Sequence, residues 1–311
     1  MTYLTIEACN QADVIALWND CLYKDLVNET KFIKHVLFDP NFDADNYIVA
    51  CDGDTPVGFI YATRRMVPDE IAGLQEGKGW IVAMGVLPKY RRQGIGRALV
   101  AKIEEKFKNE GVTQIDLCNY TTNYIVPGID DEGYEGSKDF FTKLGYETYG
   151  KSVSMDIDLH DYKYPDKYKA KKKALEAEGY RFVPYEHKYA LSLTAFFKKE
   201  FPYWLPACRE SIVAGRGVDT IFLALDKDDN TVGYVMRAMD GSDERFGPFG
   251  VSVSMQGKSI GSLLFNELMQ DMVKRRIFYT YFMWTGGRNI DYYGNWGMKV
   301  YRNYHMMKKA L

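Results

Sequence analysis

The chain has 311 residues, 46% hydrophobic and 26% charged, the composition of a globular protein with room for two domains. A formal net charge of -2 gives no broad electrostatic case for nucleic acid or an anionic membrane, and no window approaches the roughly 20 apolar residues of a membrane span. Five cysteines, Cys9, Cys21, Cys51, Cys118 and Cys208, form no close pair, which excludes a disulfide framework and a zinc-type spacing. The opening MTYLTIEACN has no basic, apolar leader, so the expected location is the cytoplasm.

In chain order, Tyr3 to Ala8 reads as a strand. Val14, Leu17, Trp18 and Leu22 follow at helical spacing, then a short helix through Phe32, Ile33, Val36 and Leu37. NYIVACDGDTPVGFIYATRRM gives a strand, a turn at Asp52-Gly53-Asp54 and a returning strand. GWIVAMGVLP is a strand suited to the middle of a sheet. After the loop YRRQGIG, Ile95, Leu99, Ile103 and Phe107 fall four apart on one helix face, which ends near Gly111. VTQIDLCNY, a loop with Pro127 and Gly128, the short helix SKDFFTKLGY and the strand SVSMDIDL complete the half.

The second half repeats this order. YRFVPYE, a helix through Leu191, Leu193, Phe196 and Phe197, and the hairpin of DTIFLALDKDDNTVGYVMRAM lead to FGPFGVSVSMQGKSIGSLLF. Its face residues Ile260, Leu264, Leu268 and Met272 each stand 165 positions after their first-half counterparts. IFYTYFMW and DYYGNWGM repeat the later strand and short helix. One architecture occurs twice. The expected domains are 1–160 and 180–311, joined by a charged connecting helix at 161–179.

A strand, a Gly-rich loop and a helix start make an anion site. The first helical turn has unpaired N–H groups, and its dipole favours negative charge. Gly94 and Gly96 admit a ligand close to the backbone, and Arg91, Arg92 and Arg97 add charge-assisted contacts. Taken alone, the same residues also describe an ordinary β–α turn with surface arginines. Spacing removes two phosphate motifs. Gln256-Gly257-Lys258-Ser259 has Ser252 where a Walker loop needs glycine, and Gly94-Ile95-Gly96 is followed by Leu99 where a dinucleotide fingerprint needs its third glycine.

The run Val86-Leu87-Pro88-Lys89-Tyr90-Arg91-Arg92-Gln93-Gly94-Ile95-Gly96 resembles the acyl-CoA loop of the GNAT acyltransferase superfamily, whose signature is Arg or Gln, two residues, Gly, any residue, then Gly or Ala. FFTKLGY is similar to that superfamily's later short helix. The resemblance implies an α/β (α+β) protein of two tandem GNAT folds, each a mixed central sheet flanked by helices. It implies acetyl-CoA as cosubstrate, no metal, and a small-molecule amine as partner. The cofactor residues carried over are Val86, Arg91, Arg92, Gln93, Gly94, Ile95, Gly96 and Arg97 in the first half. In the second they are Val251, Gln256, Gly257, Lys258, Ser259, Ile260 and Gly261. Ser259 replaces the first glycine, and supplies a backbone N–H provided its φ is negative.

The family's general acid is often the tyrosine after the phenylalanine of the short helix. That place is Phe141 in the first half and Tyr293 in the second. Tyr293 is therefore the expected acid, Asp291 the proton acceptor or an N-cap, and Tyr301 a second acid or substrate contact. The plan resembles mycothiol synthase and bacterial glucosamine/glucosaminide N-acetyltransferases, which points catalysis to the C-terminal half. The loop Asn123 to Asp130 is an insertion. Aromatics at Tyr203, Trp204, Trp284, Trp296 and Tyr301 suit a sugar ring, and Asp240, Asp243, Glu244 and Asp291 suit its ammonium group. A cysteinyl sugar, polyamine or peptide acceptor, and a non-catalytic acyl-CoA sensor, remain as alternatives. Either a monomer or a homodimer fits the duplication.

Overall fold

A computed structural model describes every residue except Thr122 and Tyr124. The chain divides into two compact units. The first comprises Met1–Val153, Met283–Gly286 and Arg302–Leu311, and the second Ser154–Phe282 and Gly287–Tyr301.

In the first unit, β1 (Thr2–Thr5), β2 (Tyr47–Asp52), β3 (Thr55–Arg64) and β4 (Lys78–Val86) run antiparallel in that order, and β5 (Gln114–Leu117) lies parallel to β4. The expected first strand is shorter than its apolar run, because Ile6–Ala8 closes a helical turn instead. Beside β5, antiparallel, comes the Arg302–Ala310 part of the last strand, with Lys308 opposite Asp116. The expected C-terminal domain took in these residues. They lie in the first unit because their backbone pairs with β5 and Lys309 grips Glu104 at 2.8 Å.

Two helices cover this sheet. Alternation along β3 sends Phe59 and Tyr61 to one face, against Val14, Leu17 and Trp18 of α1 (Gln11–Cys21). Ile60 and Ala62 go to the other, against α3 (Ile95–Asn109), after the short α2 (Glu29–Phe32). Ile95, Leu99, Ile103 and Phe107 are all buried there, as their spacing requires. The short helix α4 (Ser137–Lys143) precedes β6 (Glu147–Asp158), whose residues to Val153 belong to this unit.

The second unit opens with the rest of β6 and the connecting helix α5 (Asp166–Ala177). Its antiparallel sheet has the order β10-β9-β8-β7, from β7 (Arg181–Pro184), β8 (Ile221–Leu225), β9 (Thr231–Arg237) and β10 (Phe246–Val251). One core packs Leu193, Phe196 and Phe197 of α6 (Ala190–Glu200) on Leu223 and Tyr234. Two helices, α7 (Leu205–Val213) and α8 (Gly217–Thr220), precede β8. Helix α9 (Ile260–Lys274) buries its predicted face, and α10 (Asn289–Gly294) is the second short helix. Strands β11 (Tyr279–Thr285) and β12 (Lys299–Ala310) each contribute residues to both units. No helix among the described residues is long and apolar enough to cross a membrane.

Candidate active site

Strand β4 carries an extra residue. Tyr61 pairs with Ala83 and Ala62 with Ile81, so Val82 bulges out of register. Beyond it β4 and β5 part. Their pairing ends at Ile81 and Leu117, with the Cys118 amide donating to the Ile81 carbonyl at 2.8 Å, while β4 runs on to Val86. The wedge between them opens a cavity of about 750 Å³. Val82, Ala83 and Met84 form one wall, Leu117 and Cys118 another, and Phe140 and Phe141 of α4 a third.

The first loop closes the cavity's end. A turn at Pro88–Tyr90 leads to Arg92, with φ of 62°, and Gly94, with φ of 84°, both in the left-handed region. That conformation suits glycine, and a Cβ at Gly94 would meet nothing within 4 Å, so the approach there is open. Helix α3 starts at Ile95 without a side-chain cap, so its first-turn amides keep their capacity for an anion. Val86, Arg91, Arg92, Gly94, Ile95, Gly96 and Arg97 all line the cavity. Gln93 instead braces the loop, donating its amide to the Lys89 carbonyl at 3.1 Å. Arg91 Nε donates to the Val86 carbonyl at 2.9 Å.

Sequence reasoning missed an ion-pair network on the same cavity. Arg302 forks onto Asp25 through Nη1 to Oδ1 (2.7 Å) and Nη2 to Oδ2 (3.0 Å), and its Nε reaches Asp130 Oδ2 at 2.8 Å. Tyr134 donates its hydroxyl to Asp25 Oδ2 at 2.6 Å. Burial, and then Asp25 itself, push that phenol well above the usual tyrosine range. Of these four, only Asp130 had a signal, as the end of the inserted loop. Ile125, Val126 and Ile129 of that loop also line the cavity, while Tyr124 lies outside the described residues. Burial pushes the Cys21 and Cys118 thiols up to about 12, so neither is a ready nucleophile at neutral pH.

The second loop copies the first loop's backbone. Gly257 has φ of 82° and Ser259 of 67°. The condition of a negative φ at Ser259 is therefore not met: the serine takes the glycine's left-handed conformation because α9 starts there as α3 starts at Gly94. Its surroundings differ. A Cβ at Gly261 would meet the Tyr292 hydroxyl at 2.5 Å, and Trp296 Nε1 donates to Ser262 Oγ at 3.2 Å. Lys258 Nζ donates to the Tyr180 hydroxyl at 3.1 Å. Gln256 is exposed, Ile260 and Gly261 are buried, and Val251 pairs with Gly233 in the sheet. Where β4 has Ala83, β10 has Pro248, which lacks an N–H.

Tyr293 sits among rings. Phe282 lies 4.6 Å from it, Trp296 and Tyr292 5.6 Å, Phe246 6.1 Å and Phe249 6.5 Å, measured between centroids. Burial pushes its phenol far up. Asp291 is exposed in the first turn of α10, whose N-cap is Arg288, and Tyr301 is two-fifths exposed. Asp243 is paired with Arg237 at 2.7 Å and Asp240 with Arg245 at 3.8 Å. Glu244 accepts from Ser242 Oγ. Trp204 packs on the second unit's core, Tyr203 is exposed, and Trp284 belongs to the first unit.

Residues 11–126 match the model of the Acetyltransferase (GNAT) family. Across 99% of its length the chain is similar to a GCN5-related glucosamine N-acetyltransferase region of a fungal multi-domain GH3 beta-N-acetylglucosaminidase, at 21% identity and a TM-score of 0.78. It spans 38% of that larger protein. It is also similar to a GCN5-related N-acetyltransferase from Sphaerobacter thermophilus, at 15% identity and a TM-score of 0.66, covering 99% of this chain and 95% of that one. A tandem GNAT protein from the clavulanic acid biosynthesis pathway matches at 15% identity and a TM-score of 0.67, covering 99% and 98%. No curated protein sequence matches. These likenesses speak for the fold, and the family model for the first half. Residues 11–126 thus match the GNAT family, and the chain as a whole shares the fold of tandem GNAT proteins.

Proposed function

We propose that the protein acetylates the primary amine of a small molecule, an amino sugar such as glucosamine, and that the chemistry runs in the first unit. The observation that carries this reading is the cavity itself. It joins a strand wedge, a bulged β4 and uncapped first-turn amides, and seven of the eight first-loop residues face it.

The residues present fit acetyl-CoA. A diphosphate finds the amides of Ile95, Gly96 and Arg97, with Arg91, Arg92 and Arg97 supplying charge. The wedge between β4 and β5 offers unpaired strand edge to an extended, amide-bearing arm. When bound, acetyl-CoA supplies an acyl group on a good leaving thiol. The chain's own work is to orient the amine, relieve it of a proton and exclude water. Apolar walls at Met84, Leu117 and Phe141 serve the last task.

The amino-sugar acceptor is supported by the fungal glucosamine N-acetyltransferase region. A second reading keeps the acid at Tyr293, with Asp291 and Tyr301 as its partners, because Tyr293 holds the phenol that Phe141 lacks. Free-thiol release from acetyl-CoA, followed across amines including glucosamine, tests the activity. Binding of acetyl-CoA with no turnover on any amine selects the sensor alternative instead. Tyr293→Phe separates the two catalytic readings: unchanged turnover keeps the chemistry in the first unit.

A further inference from the structure

The cavity holds two buried carboxylates and one guanidinium in a single network. Asp25 and Asp130 are 7% and 3% exposed in their side chains, and Arg302 is 11% exposed. Within this network one guanidinium serves two carboxylates, with the Lys24 side chain packed near Gly133 and Asp130. The carboxylates are not equivalent. Asp130 Oδ1 accepts from the Gly133 amide at 2.7 Å and Oδ2 from Arg302, so Asp130 ties a turn to the guanidinium. Asp25 Oδ2 is shared by Arg302 and Tyr134. Its Oδ1 carries the Arg302 Nη1 contact and, as an sp² oxygen, keeps a second lone pair.

The network stands at the wedge. Asp25, Asp130, Tyr134 and Arg302 line the same cavity as Cys118, whose amide makes the last bond between β4 and β5. Asp25 is held there firmly. Trp18 Nε1 donates to its carbonyl at 3.0 Å, and the Lys24 amide donates to the Tyr134 hydroxyl at 3.1 Å. A carboxylate with a spare lone pair, held firmly in the lining of the cavity, is suited to an ammonium group about to lose a proton.

We infer that Asp25 is the carboxylate that receives the acceptor's ammonium group in the first-unit cavity, with Arg302 and Tyr134 as its positioning residues. The assignment rests on the acyltransferase reading above and names its acceptor end: a primary amine that arrives as a cation. Asp25 takes one proton from the ammonium nitrogen, whose freed electron pair then forms the bond to the acyl carbon. The carbon–sulfur bond breaks, the thiolate takes up the second proton that the nitrogen loses, and Asp25 returns the first to solvent, so one proton is released overall.

The test is a split between the two substrates. The acceptor is whichever of glucosamine, spermidine and glycinamide the wild type turns over with the lowest KM. Asp25→Asn raises that KM about 100-fold, while the calorimetric Kd for acetyl-CoA stays within about threefold. Tyr134→Phe, which leaves the Asp25–Arg302 fork intact and keeps the test alive if Asp25→Asn fails to fold, raises KM about tenfold. Asp130→Asn, which also loosens Arg302, raises it less than a tenth as much as Asp25→Asn. Equal effects of Asp25→Asn and Asp130→Asn, or wild-type KM in both Asp25→Asn and Tyr134→Phe, overturn the assignment. A wild-type chain that binds no acetyl-CoA and turns over none of the three amines overturns the acyltransferase reading itself.

Discussion

The two units build the same loop and fill the space beside it differently. Each loop has two left-handed positions ahead of a fifteen-residue helix, and each gives only one of them to glycine. In the first unit that glycine is Gly94, next to the helix; in the second it is Gly257, with Ser259 next to the helix. Around the first loop lies a cavity of about 750 Å³. Around the second, Tyr292 covers Gly261, Trp296 bonds Ser262, and Phe246, Phe249, Phe282 and Tyr293 pack ring on ring. Backbone shape alone does not make a ligand site. The side chains of the next strand and the next helix decide whether the space is kept or filled.

That contrast can be broken at its centre by Tyr293→Ala. Removing a ring from the aromatic cluster costs about 3–5 kcal/mol of stability. Tyr293→Phe keeps the ring and should leave turnover within about twofold. Thermal melting and thiol release check the pair, and a large loss of turnover in Tyr293→Phe would move catalysis to the second unit.

A smaller effect separates the loops themselves. Gly94→Val and Gly257→Val both force a branched side chain to positive φ, at about 1–2 kcal/mol each. Only Gly94→Val should also weaken acetyl-CoA, by about tenfold or more in calorimetry, since only that loop faces the cavity. Arg91→Ala with Arg97→Ala should raise the same Kd about tenfold and flatten its salt dependence. Lys258→Ala should change it less than about twofold. The smallest shift expected is a gain: Ser259→Gly relieves a non-glycine residue at φ of 67° and should stabilise the protein by about 0.5–1 kcal/mol, seen as a higher Tm.

Periodic features were open to reading. The faces Ile95-Leu99-Ile103-Phe107 and Ile260-Leu264-Leu268-Met272 are buried throughout, because helical spacing and burial have one cause. The first loop was legible because glycine marks a conformation that other residues rarely take. Arg92 and Ser259 take it too, and nothing in their identity announces it. Tyr293 read as an acid because a phenol stands at the expected place. That the rings of Phe246, Phe249 and Phe282 would crowd it depends on strands distant in the chain. The Asp25–Arg302 fork was out of reach for the same reason, since its partners stand 277 positions apart.

That separation has a consequence for how the protein is made. At about 5–20 residues per second, a ribosome needs about 15–55 s to pass from Asp25 to Arg302. Throughout that interval the nascent first half carries two acidic groups awaiting their counter-ion, and β5 waits for its tail-strand neighbour. A bare strand edge of this kind invites mispairing with other chains. A segment made early is thus completed by one made some 277 residues later.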